Sequence, residues 1–211
     1  MSTTERIRFG GKDAPERFLF ELTGGNLALD LANTIVDREA AEPRELLGKY
    51  ADLVNWSEQV ELLDRAEASD LLGQAARNPQ LAARALGRVI DLRETIYSVF
   101  RGEGPDDAGL RKLQDYATQA PRHRRLVRNG DAVVWQWEHD GLDQMLWPIV
   151  DAATTLLTSE RRARVRACAG EVCRWLFIDN SRRANRRWCD MSVCGNRAKA
   201  KRHYAKVVAG T

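Results

Sequence analysis

The chain has 211 residues, 44% of them hydrophobic and 30% charged, which is typical of soluble globular domains and excludes disordered or fibrous classes. No apolar run approaches the roughly 18 residues that a membrane span needs, and the polar first residues lack a signal-peptide core, so we expect a cytoplasmic protein with no membrane partner. The net charge of +3 is uneven, because residues 160–211 hold 14 basic and 4 acidic residues, whereas residues 1–159 hold 19 and 26.

Helical periodicity dominates the first hundred residues. Arg17–Leu22 is predicted as a short strand, and a glycine turn then leads to a helix that Asn26 can cap. Apolar residues recur at helical spacing in the next segments as well. Helices or helix pairs are predicted at 26–38, 42–60, 66–77 and 78–101.

In the following segment the spacing of apolar residues changes from helical to alternating, and then back to helical. A shorter helix is predicted at 108–120, and alternating apolar residues then flank Asn129-Gly130, a dipeptide that favours the positive φ of a tight hairpin turn. A helix is predicted again at 141–160, and Pro148 either starts it at its first turn or kinks it. The body, which we expect to span residues 1–160, is therefore an α+β domain, mostly helical with a β-hairpin.

All four cysteines lie within 27 residues, in the spacing C-x4-C-x15-C-x4-C. Two close pairs at this separation suit a tetrahedral zinc site with four thiolate ligands, which has no open position for water and is therefore structural. An iron–sulfur cluster also accepts four thiolates and stays open as an alternative. The predicted ligands of one zinc ion are Cys168, Cys173, Cys189 and Cys194.

The residues between and after the cysteines predict the shape of this module. A strand from Arg174, a turn at Asp179, a basic loop and a second strand ending at Trp188 form a hairpin between the cysteine pairs. An alanine-rich helix follows Cys194. A knuckle, a hairpin and a helix that carries the last ligand form the treble-clef layout, and we expect this module, the finger, to span residues 161–211.

The segment from Cys168 to Lys206, which includes "RWLFIDNSRRANRRWCDMSVCGNRAKAKR", resembles the CGNR zinc finger family. The preceding "GGNLALDLANT" (Gly24–Thr34) resembles the ABATE domain, which accompanies this finger in bacterial proteins, and the stretches "DLRETIY" and "LWPIVDAATTLL" also resemble it. The resemblance implies a stress-induced transcriptional regulator in which the first domain senses a ligand and the finger binds DNA.

Basic residues lie next to the predicted metal ligands along the chain. Those of the basic loop, residues 182–187, come just before Cys189. Those of the last helix recur at i, i+3 and i+7 on one face, as expected of a surface that contacts phosphates. A solvated basic face or contact with the acidic body is the alternative. Asn196 can instead bond backbone around the zinc loop, and Arg197 can instead pack across the hairpin. The predicted DNA-binding residues are Arg182, Arg183, Arg186, Arg187, Arg197, Lys199, Lys201, Arg202 and Lys206.

Three polar residues interrupt apolar helix faces in the body. Asp30 and Asn33 lie among leucines, and Arg93 lies on the apolar stripe of the helix at 78–101. Such groups are paired internally, for instance Arg93 with Asp30, or turned toward a ligand. We retain the three as candidate ligand-binding residues.

No catalytic motif is recognisable: there is no Ser–His–Asp order, glycine-rich phosphate loop or H-E-x-x-H, and we expect no enzyme. The sequence therefore predicts a zinc-dependent DNA-binding transcriptional regulator with a small-molecule effector, and it is compatible with a homo-oligomer. Two alternatives remain. The finger could be a structural or docking module of a small-molecule-binding protein or enzyme, or the protein could bind RNA.

Overall fold

The computed structural model describes residues 10–14, 17–102, 104 and 106–209, without the side chains of 206 and 209. The described part is α+β and mostly helical, as predicted, and its strands form two-stranded antiparallel sheets. The α-helices are α1 (Leu27–Ala32), α2 (Tyr50–Gln59), α3 (Arg65–Arg77), α4 (Pro79–Phe100), α5 (Asp107–Ala117), α6 (Leu146–Thr158) and α7 (Asn196–Ala209).

Four strand pairs accompany the helices. The strands are β1 (Gly11–Asp13), β2 (Phe18–Phe20), β3 (Ile35–Val36), β4 (Arg44–Glu45), β5 (Arg124–Asn129), β6 (Ala132–Trp137), β7 (Val165–Ala167) and β8 (Leu176–Ile178). The pair β5–β6 is the predicted hairpin, with Asn129 opposite Ala132 and Gly130 at a φ of 60° in the turn.

The prediction of a helix over 26–38 is wrong in its second half. Asn26 caps α1 as predicted, because its side chain accepts the N–H of Ala28 at 2.9 Å. The helix nevertheless ends at Ala32, and Ile35 starts the strand β3, which pairs with β4. The predicted helical start of the 42–60 segment is wrong for the same reason, since Arg44 lies in that partner strand.

The core of the body forms where α1 packs against α4 and α6. Leu29 and Leu31 of α1 are fully buried there, and Trp56 and Trp147 are the largest buried side chains from α2 and α6. Strand β8 of the finger belongs to the same core through Leu176 and Ile178. The finger is therefore packed on α1 rather than tethered beside it.

The hairpin of the finger differs from the predicted one. Strand β8 pairs with β7, which precedes Cys168, and the segment from Arg182 to Trp188 is irregular rather than a strand. The knuckle between Cys168 and Cys173 is thus the turn of the β7–β8 hairpin. Beyond β8 the returning segment is held by hydrogen bonds to the buried carboxylate of Asp179 instead of by pairing with a strand.

Candidate metal centre and basic surface

The four cysteines meet at one point. They are all buried, and their four Sγ atoms lie within 4.8 Å of one another. The Sγ atoms of Cys173 and Cys189 are 3.7 Å apart, as are those of Cys189 and Cys194. Four ligands at the usual Zn–S distance of about 2.3 Å form a tetrahedron with edges of about 3.8 Å. The spacing therefore fits one zinc ion, and it is too long for a disulfide.

The pKa values of the thiols also support a bound zinc ion. Hydrogen bonds from the other thiols, that of Cys173 first, lower the pKa of Cys168. The same contacts with Cys168 raise the pKa of Cys173 and of Cys189, so the buried group resists carrying several thiolates without a cation. A dication removes this conflict. Thiolates that bind separate irons of a cluster would lie further apart than these do.

The backbone around the metal centre is held by short local contacts. The N–H of Gly170 points to Cys168 Sγ at 3.4 Å, and a side chain at position 170 would place its Cβ 3.1 Å from that of Cys173. Asp190 accepts the N–H groups of Ser192 and Val193 at 2.6 and 3.0 Å in the turn that carries Cys194. The ligand positions are thus fixed on both sides.

Asp179, a residue that the sequence marked only as a turn, organises the basic loop. Its buried carboxylate accepts the N–H groups of Ser181 and Arg186, each at 2.9 Å. Burial by itself raises the pKa of Asp179, but these bonds outweigh it and the pKa is lowered. Arg164 adds bonds to the carbonyl oxygens of Asp179 and Ser181 at 3.2 and 3.1 Å. No local pattern in the sequence singles out Arg164.

The predicted DNA-binding residues of the loop divide into two kinds. Arg186 supports the fold, because it donates to the carbonyl oxygens of Trp188 and Cys189 and lies 4.5 Å from the ring centre of Phe177. Arg182 and Arg183 are exposed, and within the described residues their side chains make no hydrogen bond or ion pair. The loop therefore presents part of its charge to solvent and uses part of it to hold the metal centre.

The basic residues of α7 also divide. Arg197 lies 3.4 Å from Asp37 of the body, and Lys201 bonds both oxygens of Glu171 in the knuckle at 2.5 and 2.6 Å. Lys199 and Arg202 are exposed, and they have no acidic partner in the described part of the chain. The side chain of Lys206 lies outside the described residues.

Asn196 supports the metal loop, since its Nδ2 donates to the carbonyl of Ser192 at 2.9 Å.

The candidate ligand-binding residues of the body do not share a site. Asn33 bonds the backbone of Leu176, and Asp30 accepts the N–H of Gly24 at 2.8 Å. Burial raises the pKa of Asp30 to about 6, although the bond from Gly24 opposes this shift. Each carboxylate and amide therefore has an internal role, and ligand binding by them stays a prediction.

Arg93 pairs with Glu45 rather than with Asp30, which corrects the suggested pairing. The nearly inaccessible guanidinium bonds both oxygens of Glu45 at 2.6 and 2.7 Å and Glu94 at 2.8 Å, and Thr34 lies at 3.3 Å. Burial alone lowers the pKa of Arg93, but the bonds and charge of the glutamates outweigh it and the pKa is raised. Its positive charge is therefore satisfied within the protein.

Family comparisons agree with the geometry. A family model described as "Putative stress-induced transcription regulator", ABATE, matches residues 25–160, well over half of the chain. The chain belongs to the ABATE family. In this ABATE protein the CGNR zinc finger model matches residues 164–207, which include the four cysteines. No curated protein matches the chain.

The two family matches confirm the resemblances seen in the sequence, and with the thiol geometry they establish one zinc ion with four cysteine ligands. Neither matched family is an enzyme family. The division of this ABATE protein at residue 160 stays a prediction, because β8 shares the core of the body. Within the described residues, no helix is long and apolar enough to cross a membrane.

Proposed function

We propose that the chain is a DNA-binding transcriptional regulator whose zinc finger contacts phosphates through exposed basic residues. The observation that carries the proposal is the orientation of the finger on the body. The finger is seated by its apolar strand β8 and by Trp175, whose Nε1 donates to the carbonyl of Ile35 at 2.7 Å. Arg182, Arg183 and Lys199 take no part in that contact and are exposed.

This arrangement argues against a finger whose basic residues serve only for docking. Docking within the chain already uses apolar and backbone groups, and among the described basic side chains of the finger only Arg197 has an acidic partner in the described part of the body, Asp37. Charged side chains on a rigid, metal-held support are suited to displacing counterions from a polyanion. The matched ABATE family, described as a transcription regulator family, favours DNA as that polyanion.

The experiment is a salt titration of the affinity of the zinc-loaded full-length chain for a random-sequence DNA duplex. Four phosphate contacts, such as those of Arg182, Arg183, Lys199 and Arg202, would give a slope of log K against log salt of about −3.6. A duplex RNA of the same length is measured in parallel. Binding that is absent at low salt, or that prefers RNA, would contradict the proposal.

Sensing of a small effector by the body belongs to the same proposal. Asp30, Asn33 and Arg93 already make internal bonds, so the better location is a cavity of ≈ 260 Å³ beside the hairpin, lined by Glu61, Trp135, Trp137, Met145 and others. The test is a screen for metabolites that change the DNA affinity of the chain. Trp135→Ala, which alters the lining of this cavity, is the variant that should lose the response.

A further inference from the structure

A cleft of ≈ 320 Å³ lies beside the metal centre, between the knuckle loop and the first turns of α7. Its size falls at the lower end of the roughly 300–1,000 Å³ range of small-molecule sites, and it far exceeds what a single metal ion occupies. The walls are held in place. The knuckle is tied to the body by a bond from Glu39 N–H to the Val172 carbonyl at 3.0 Å, and α7 is anchored through Cys194.

The lining of the cleft separates into an apolar part and a charged part. Val172, Trp188 and Ala198 are half-buried within it, whereas Arg187, Arg197, Lys201 and Arg202 line it as exposed cations. A cluster of cations alone would suit phosphates without any cavity. The apolar part adds room for a flat, weakly polar group between the knuckle and the helix.

Two of these residues already form a stacked pair. The guanidinium of Arg187 lies 4.6 Å from the ring centre of Trp188. Planar guanidinium and indole groups are those on which nucleobases stack in sites for unpaired nucleic acid. Among the described residues that line the cleft, the one acidic side chain, that of Glu171, is bonded to Lys201, so its repulsion of a phosphate is reduced.

We propose that this cleft receives an unstacked nucleobase while the adjacent phosphate lies on its cations. The base comes from a nucleic-acid strand or from a free nucleotide. The inference rests on the proposed function, because it gives the finger a second way of contacting nucleic acid besides phosphate contacts. Where the base comes from a strand, the finger favours DNA in which a base is unpaired.

The test compares two duplexes of equal length, one fully paired and one with a single unpaired adenine, on the zinc-loaded full-length chain. We expect the second to bind about tenfold more tightly, as the gain of one stacked base produces. Ala198→Leu fills the cleft without changing charge, so it should abolish this gain and leave both paired-duplex affinity and salt slope unchanged. Ala200→Leu is the matched control, since Ala200 is exposed on α7 and does not line the cleft.

AMP separates the two sources of the base. If AMP binds and Ala198→Leu removes that binding, while the unpaired adenine gives no gain, the cleft takes a free nucleotide. If Ala198→Leu does not fold with one zinc, Val172→Phe fills the cleft from the knuckle side. Equal affinity for both duplexes, together with no AMP binding that these variants remove, overturns the inference. Salt-dependent binding of the paired duplex would then still uphold the proposed function.

Discussion

Asn33 and Leu176, which are 143 residues apart, form a paired contact between the body and the finger. Asn33 Nδ2 donates to the Leu176 carbonyl and Asn33 Oδ1 accepts the Leu176 N–H, each at 2.8 Å. The amide thus satisfies strand β8 as a neighbouring strand would. Two residues further along β8, the Ile178 N–H donates to the Gly24 carbonyl at 3.0 Å. The finger is therefore held by the segment Gly24–Thr34, which resembles the ABATE domain.

Replacing Asn33 with alanine should loosen the finger from the body. The change leaves a buried N–H and a buried C=O of Leu176 without partners, and such groups cost about 1–3 kcal/mol each when unsatisfied. We expect a lower free energy of unfolding in urea and faster proteolysis within the finger. Asn185→Ala in the exposed loop is the control, and an Asn33 variant as stable as that control would contradict the role of the contact.

Sequence patterns predicted the features that depend on near neighbours. The spacing of Cys168 and Cys173 indicated a ligand pair, and Asn129-Gly130 indicated the hairpin turn. Strands of two or three residues, such as β3 and β7, are too short to show alternation, and their partners depend on the fold. In the sequence Asn33 stands out as a polar residue among leucines, but no local pattern shows that its partner lies 143 positions away.

Removal of zinc should destabilise the whole chain and not the finger alone. Four thiolates hold the turn between β7 and β8, and Leu176 and Ile178 of β8 are part of the core of the body. We expect one zinc per chain by atomic emission, a lower Tm after chelation, and recovery when zinc, but not magnesium, is restored. All four cysteines of the chain are ligands, so it offers no non-ligand cysteine whose replacement could serve as a matched control, and magnesium takes that role. A Tm that chelation leaves unchanged would contradict a structural zinc.

Two arginines of the basic loop should respond differently to loss of charge. Arg182 is exposed and unpaired within the described chain, so Arg182→Gln should reduce the salt slope of DNA binding by about one and leave stability unchanged. Arg186 bonds the carbonyls of Trp188 and Cys189, so Arg186→Gln should lower the free energy of unfolding and the affinity for zinc.

Arg111→Gln on α5 of the body changes the net charge equally and serves as the control for both arginine variants. DNA affinity that falls as much for Arg111→Gln as for Arg182→Gln would indicate a general charge effect rather than a phosphate contact by the loop. Unchanged stability of Arg186→Gln would contradict its supporting role at the metal centre.

Ionisation of the Asp30 carboxyl should lower the free energy of unfolding as the pH rises through about 6. Burial raises its pKa from 3.8 to about 6 in the folded protein, so the folded state binds a proton more tightly than the unfolded chain does. Stability is then greatest below the unfolded pKa and declines as the carboxyl ionises. Asp30→Asn removes this ionisation and keeps an oxygen that can accept the Gly24 N–H. We expect the free energy of unfolding of the variant, relative to that of wild type, to increase by about 1–2 kcal/mol between pH 5 and pH 7.5.

Urea unfolding of the zinc-loaded chain across pH 5 to 7.5 measures this difference for Asp30→Asn. The range stays above the pH at which protonation of the thiolates would release the metal. Asp131→Asn in the exposed hairpin turn is the matched control and should follow wild type at every pH. A constant difference between Asp30→Asn and wild type across this range would show that Asp30 does not titrate near pH 6. Burial of the Asp30 carboxyl raises its pKa and the bond from the Gly24 N–H opposes this shift, so the measured pH dependence reports the balance of these two effects in the folded protein.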